Sequence, residues 1–251
     1  MEYATIGGAV ANNASGEKSF KYGSMRTYTD QLRVVLANGE VITTRRLSKR
    51  ELNKKIGLAN FEGEIYRALD TLIEENQDLV EQSRLNVARN TAGYNVGLVK
   101  GKDGSFDLTP LFVGSQGTLG IITEVTLATE SYNPSTTVIA AFCPDVDAVQ
   151  LIVEELRSMS KPPSMVEMVD QNVLHFVHKH NPNQLRGVLS SPYPRFVLII
   201  EFDDVSTKHQ KKASKKTAKF LDKHHIPFTL ETDEAKQEDL RKIRQSVTSI
   251  L

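Results

Sequence analysis

The chain has 251 residues, with 31 Lys and Arg against 31 Asp and Glu, 39% hydrophobic residues, one cysteine and no tryptophan. That length allows one large domain or two modest ones, each with its own core, and the composition is that of a soluble globular protein. Neutrality argues against a nucleic-acid binder, the lone Cys143 excludes an intramolecular disulfide and any cysteine-clustered metal site, and no apolar run approaches the roughly 18 residues of a transmembrane span.

In chain order, Leu32–Ala37, Asn38-Gly39 and Glu40–Thr44 read as a hairpin with a type I′ turn. Phe61–Asn76 reads as a helix with Ile65, Leu69, Leu72 and Ile73 on one stripe and Asn60 as N-cap. Leu119–Thr129 alternates, predicting a strand with one face more buried than the other. Strand Val138–Cys143 and helix Val146–Met159, capped by Asp145, follow. Pro162-Pro163 breaks the chain before Ser164–Val169, and a short helix is expected over Asp170–His180. The loop Asn181–Pro194 leads to a buried strand, Arg195–Phe202. Helix Ser206–Lys223, strand Phe228–Glu231 and helix Asp233–Val247 complete the pattern. The order of elements after residue 130 predicts an α+β sandwich related to the ferredoxin-like arrangement.

Glycine divides the chain. Fourteen of 15 glycines lie at or before Gly120, while eight of nine prolines lie after residue 130. Two domains are expected, 1–131 and 132–251, the first built to bring main chain close to something. Within it stand two glycine-rich segments, Thr5–Gly16 continuing to Tyr22-Gly23-Ser24, and Phe112–Glu124. Neither fits the G-x-G-x-x-G fingerprint or a Walker A loop. Small residues with free N–H groups, together with Asn and Ser side chains, can wrap a pyrophosphate or the edge of a polar heterocycle; ordinary turns are the plain alternative.

Four ordered matches carry a resemblance. Ala4–Gly8 with Asn12–Gly16 and Tyr22–Ser24, the Asn-Gly hairpin, Asn90-Thr91-Ala92-Gly93-Tyr94-Asn95, and Gly114–Glu124 resemble motifs of the vanillyl-alcohol-oxidase superfamily. These are FAD-linked oxidases with a PCMH-type FAD-binding domain, and the nearest branch is the D-lactate dehydrogenase and glycolate oxidase flavoproteins. The second half is similar, more loosely, to the start of that family's cap domain. The resemblance implies an α+β fold: a partial PCMH-type domain with a mixed or antiparallel sheet and helices, then a truncated ferredoxin-like cap. It implies FAD held by Gly7, Gly8, Asn12, Asn13, Ser15 and Gly16 on one segment and by Gly117, Thr118, Gly120, Ile121 and Ile122 on the other, with Tyr22 and Gly23 supporting the first loop. Gln116 stands where the family usually has Glu, which weakens any carboxylate role there.

Two departures are larger. The family's first pyrophosphate loop, normally ahead of the Ala-Thr-Ile-Gly-Gly stretch, and its late H-x-G-D-G-N-x-H motif have no counterpart here, so the chain reads as the middle of a longer flavoprotein. The implied activity is FAD-dependent oxidation of a small 2-hydroxy acid, of the D-lactate or glycolate type. A base in the cap would take the hydroxyl proton, and one of Arg157, Arg186 or Arg195 would meet the substrate carboxylate; no catalytic residue is assigned. The alternatives are a remnant that holds no FAD, one part of a split enzyme whose partner chain supplies the missing loop, and a non-redox FAD enzyme of the ether-lipid synthase branch. The expected location is cytoplasmic, either free or peripheral to the inner membrane face. Neither a nucleic-acid partner nor a bound metal is expected. His175, His178 and His180 lack a partner set of ligand spacing, and His224-His225 follow a helix end. The lysines of Ser206–Lys223 read as the solvated face of an amphipathic helix, and Cys143 as a buried small hydrophobe.

Overall fold

A computed structural model describes residues 4–84, 87, 90–183 and 185–248, and the side chains beyond Arg244 are not discussed. Its helices are α1 (Ile6–Ala11), α2 (Ser19–Tyr22), α3 (Met25–Tyr28), α4 (Lys49–Ile56), α5 (Phe61–Glu75), α6 (Gln77–Gln82), α7 (Thr109–Phe112), α8 (Val146–Ser158), α9 (Gln171–His180), α10 (Thr207–Lys223) and α11 (Glu234–Thr248). The strands are β1 (Thr29–Val35), β2 (Val41–Thr44), β3 (Ile121–Leu127), β4 (Thr137–Cys143), β5 (Met165–Asp170), β6 (Phe196–Phe202) and β7 (Phe228–Glu231). Two units form: residues 1–16 with 23–130, and residues 17–22 with 131–251.

The first unit has a three-stranded antiparallel sheet in the order β2-β1-β3. Leu32, Val34 and Ile42 point from it into a core shared with Leu52, Tyr66, Phe106 and Leu108. The Asn-Gly turn departs from the predicted type I′. Gly39 alone has positive φ, because the Asn38 carboxamide oxygen accepts the Glu40 N–H at 3.0 Å and holds Asn38 in an ordinary turn conformation. In β3 the register against β1 shifts between Arg33 and Val34. That irregularity turns Ile122 and Val125, one from each side of the predicted alternation, toward the core, and leaves Ile121 69% exposed. α5 starts where expected, with the Asn60 side chain accepting from Gly63 N–H. Its buried side runs through Tyr66 and Ile73, while Leu72 is exposed. α4 carries a full capping box, Ser48 with Glu51.

In the second unit the strand order is β5-β6-β4-β7, every neighbouring pair antiparallel. With β4-α8-β5 and β6-α10-β7 as its crossovers, this is the ferredoxin-like order. One face packs Ile139, Ala141, Leu198 and Ile200 under α8 and α10. The other packs Val138, Ala140, Val197 and Ile199 under α9 and α11. Both faces are covered, so β4 and β6 read as continuous apolar runs rather than alternating ones. Gln210, Ala213, Ser214, Thr217 and Leu221 of α10 face inward. Its seven lysines are all exposed on the opposite arc. Cys143 is buried, and burial beside Asp145 pushes its thiol up to about 11.

Helix α5 can enter the first core only because position 63 has no side chain. A Cβ there would sit 2.2 Å from the Leu58 carbonyl oxygen. Gly63→Ala is expected to lower the stability of the first unit by about 1–3 kcal/mol in chemical denaturation; unchanged stability would contradict this packing.

Candidate functional site

The two glycine-rich segments meet through their main chains. Gly114 N–H donates to Val10 C=O at 3.0 Å and Gln116 N–H to Ala11 C=O at 2.9 Å, joining the end of α1 to the loop after α7. The chain reaches this geometry by positive φ at Asn13 (46°), Gly114 (90°), Gln116 (54°) and Gly117 (80°). Asn and Gly tolerate that region; Gln does so only at a cost, so position 116 is a locally strained point that the surrounding bonds impose. Asn13 is buried, and its carboxamide oxygen accepts the Arg26 N–H at 3.0 Å.

The third motif segment joins them. The Tyr94 hydroxyl meets Thr118 Oγ1 at 2.7 Å, and Thr118 Oγ1 also donates to the Ser115 carbonyl at 2.6 Å. Arg26 Nη1 donates to Asn90 C=O at 3.2 Å and Nη2 to Val113 C=O at 3.5 Å. With its amide oxygen turned inward, Asn95 accepts from both terminal nitrogens, at 2.5 and 3.0 Å. Arg26 was not among the residues the sequence singled out. Its acceptors are main-chain carbonyls and one amide, which leave no side-chain signature.

The predicted residues divide into three groups. Gly7 and Gly117 have nothing within 4 Å of where a Cβ would project, and Asn12, Gly117 and Thr118 are exposed, so these positions line open space. Gly8 lies in α1, with Thr5 Oγ1 3.0 Å from a would-be Cβ, and Asn13, Ser15 and Gly16 belong to the loop that follows. Gly120 and Ile122 serve the fold. A Cβ on Gly120 would lie 2.7 Å from both Val34 Cγ1 and Val35 O, and Ile122 packs on the core. Ile121 projects outward. Tyr22 belongs to the second unit, where its hydroxyl donates to Asp203 Oδ1 at 3.0 Å; Gly23 supplies a left-handed turn.

Whether this cradle suits FAD can be judged from its donors. Residues 4–16 and 112–123 contain no charged side chain. The hydroxyls of Ser15 and Ser115 and Nε of Arg26 are buried without a hydrogen-bond partner, although buried polar groups are normally paired. Neutral donors, one guanidinium and no carboxylate suit an acceptor-rich diphosphate or heterocycle, and Gln116 in place of a glutamate adds no repelling charge. The residues present fit the group. Beside them lies an apolar cavity of about 360 Å³ lined by Leu36, Phe61, Leu69, Tyr94, Phe112 and Leu119.

The second unit has its own polar cavity of about 480 Å³, lined by Lys18, Asn133, Thr136, Glu201, Gln237 and Arg241 among others. The buried Glu201 carboxylate takes Arg241 at 2.8 Å and Lys18 at 2.9 Å. Arg241 Nη2 also donates to Thr136 Oγ1 at 3.0 Å. Arg157, Arg186 and Arg195 are exposed, whereas the half-buried arginines are Arg241 and Arg244, the latter paired with Glu17 and 3.9 Å from Glu167. His178 Nδ1 meets the Tyr193 hydroxyl at 3.0 Å, and the His175 ring packs edge-on against Tyr193. Among the described residues no helix is long and apolar enough to cross a membrane.

Asp203 is buried between Lys21 at 2.8 Å and Lys18 at 3.3 Å. Burial opposes its ionisation, but Lys21, Tyr22 and Lys18 outweigh it and hold the carboxyl below its ordinary value. A depressed folded-state pKa contributes stability that is present above the unfolded value, about 3.9, and lost as pH falls through the folded one. Thermal stability is therefore expected to drop below about pH 4. Asp203→Asn should cost about 1–2 kcal/mol at pH 7, the lysines being partly solvated, and should flatten that acid limb. An unchanged acid limb in the variant would contradict the assignment.

Two family profiles match the chain: "FAD binding domain" over residues 1–45 and "FAD linked oxidases, C-terminal domain" over residues 133–251. A D-2-hydroxyglutarate dehydrogenase of Pseudomonas putida is 29% identical over 124 residues, 49% of this chain and 12% of that protein. A glycolate oxidase subunit of Bacillus subtilis is 28% identical over 174 residues, 69% of this chain and 26% of that protein. The mitochondrial D-2-hydroxyglutarate dehydrogenase of Arabidopsis thaliana is 26% identical over 248 residues, 98% of this chain and 35% of that protein. The chain thus spans about a third or less of these relatives. A solved alkyldihydroxyacetonephosphate synthase superposes with a TM-score of 0.57 at 17% identity, covering 100% of this chain and 40% of that one, a likeness of fold.

Proposed function

We propose that the chain is part of an FAD-linked oxidase, that its first unit holds FAD and that it serves the oxidation of a small 2-hydroxy acid. The observation that carries this reading is the joined cradle: two glycine-rich segments about 100 residues apart, bonded main chain to main chain, around buried hydroxyls that lack partners. Gly7, Gly8, Asn12, Asn13, Ser15 and Gly16 would hold the cofactor from one side, and Gly117 and Thr118 from the other. Bound FAD supplies the two-electron acceptor for the substrate's carbinol carbon. The chain's own part is to bring uncharged donors to the cofactor and to keep carboxylates away from its phosphates.

Relatives that act on D-2-hydroxyglutarate or glycolate bear names with one chemistry in common, a hydroxyl beside a carboxylate. A substrate of that class is the reading the relatives support. Turnover is proposed to need polypeptide beyond these 251 residues, in a longer chain or from a partner, because the match covers only about a third or less of each relative. The likeness to alkyldihydroxyacetonephosphate synthase speaks for the fold only.

Gly7 separates cofactor contact from folding. Its φ is ordinary and a Cβ meets nothing, so Gly7→Ala should leave thermal stability unchanged or slightly raised, as alanine favours the helix. Titration of the apo chain with FAD, followed by flavin fluorescence quenching, is expected to show binding that weakens about tenfold in this variant, a loss of about 1.4 kcal/mol. A wild-type chain that quenches no flavin fluorescence would overturn the reading.

A further inference from the structure

We propose that Arg26 is the positioning residue of this cradle, a single guanidinium that locks three separate segments together and brings to them a positive charge with no carboxylate partner among the described residues. The inference rests on reading the first unit as a flavin cradle.

The geometry is particular to arginine. Arg26 reaches Asn90 and Val113 carbonyls and the Asn95 amide oxygen with two terminal nitrogens, while its own N–H holds Asn13. Those acceptors lie 13 to 87 residues away in sequence. They belong to the loop after α1, the 90–95 segment and the loop after α7, which are the stretches that carry the cradle. A lysine ammonium is a point charge and cannot span that fan of acceptors. α3 has only four residues, too short to be stable as an isolated helix, so its place is set by these bonds and by Met25 N–H donating to Ala14 C=O at 3.0 Å.

The charge is equally unusual. Burial lowers the pKa of the guanidinium, and among the described residues no carboxylate opposes that. Arginine stays protonated nonetheless. Among the described residues its acceptors are all neutral, and Nε has no partner. Even half-buried, a charge without a counter-ion is costly. Here it sits behind two segments free of acidic groups, which is the electrostatic complement of an anionic ligand such as a diphosphate.

The test uses the 251-residue chain with Arg26→Met and Arg26→Lys. Hydrogen–deuterium exchange of the apo chain reads the lock without any cofactor. Arg26→Met is expected to raise exchange about tenfold in residues 12–16, 90–95 and 113–118 together, with β4 and β6 unchanged. Arg26→Lys keeps the charge and loses the fan, so the same three segments should still loosen. FAD affinity, read by fluorescence quenching, should fall tenfold or more in Arg26→Met and recover only partly in Arg26→Lys. Unchanged exchange in the three segments of Arg26→Met, or full restoration of both readouts by lysine, overturns the proposal. A wild-type chain that takes up no FAD overturns the flavin reading instead, and the exchange data still decide whether Arg26 is the lock.

Discussion

Two main-chain hydrogen bonds, from Gly114 to Val10 and from Gln116 to Ala11, are the constraint on which the first unit's site depends. They force segments some hundred residues apart to lie side by side, and they require left-handed backbone at four positions within them. A Cβ resists that conformation, asparagine's least, so Gly114, Gly117 and Asn13 follow from the pairing itself. The same composition leaves a surface of small groups and free donors. Backbone geometry and ligand chemistry therefore ask for the same residues, and glycine content alone could not separate a cofactor cradle from ordinary turns. The glycines themselves differ: Gly120 is small because β1 passes against it, whereas Gly7 and Gly117 face open space.

The second unit is organised by charge as well as by its apolar sheet. Glu201 and Asp203 lie at the end of β6, at 3% and 7% exposure, and their partners come from Arg241 on α11 and from Lys18 and Lys21. The short stretch 17–22 thus belongs to this unit through specific ion pairs, and Phe20 of that stretch packs on its core. Pairs of this kind contribute little where solvated, yet are damaging to break once a carboxylate is buried. They define the polar cavity wall, and a basic side chain facing that cavity is Arg241 rather than any of the three arginines the sequence offered.

The larger helices were legible because periodicity and capping agree: Asn60 before α5, Asp145 before α8 and Ser206 before α10 each accept a backbone N–H of the first turn. The ferredoxin-like order was legible from the alternation of elements. Short helices α1, α2 and α3 were not, since four to six residues carry no period and their glycines read as loop. The Asn-Gly dipeptide located the turn and misled on its type, because the Asn38 side chain, invisible in a propensity, bonds its neighbour. β3 was placed correctly while its faces were not, as an irregular register is a property of the pair of strands. Arg26 was illegible because its guanidinium meets main-chain carbonyls, which every residue has, and one asparagine amide.

Whether the two glycine-rich segments form one cradle for FAD is read most directly by an amide chemical-shift titration of the ¹⁵N-labelled chain with FAD. Gly7, Gly8, Ser15, Gly117 and Thr118 are expected to shift together on one binding curve while the strands of the second unit keep their shifts. Shifts confined to one of the two segments, or a binding curve with neither, would contradict a single cradle.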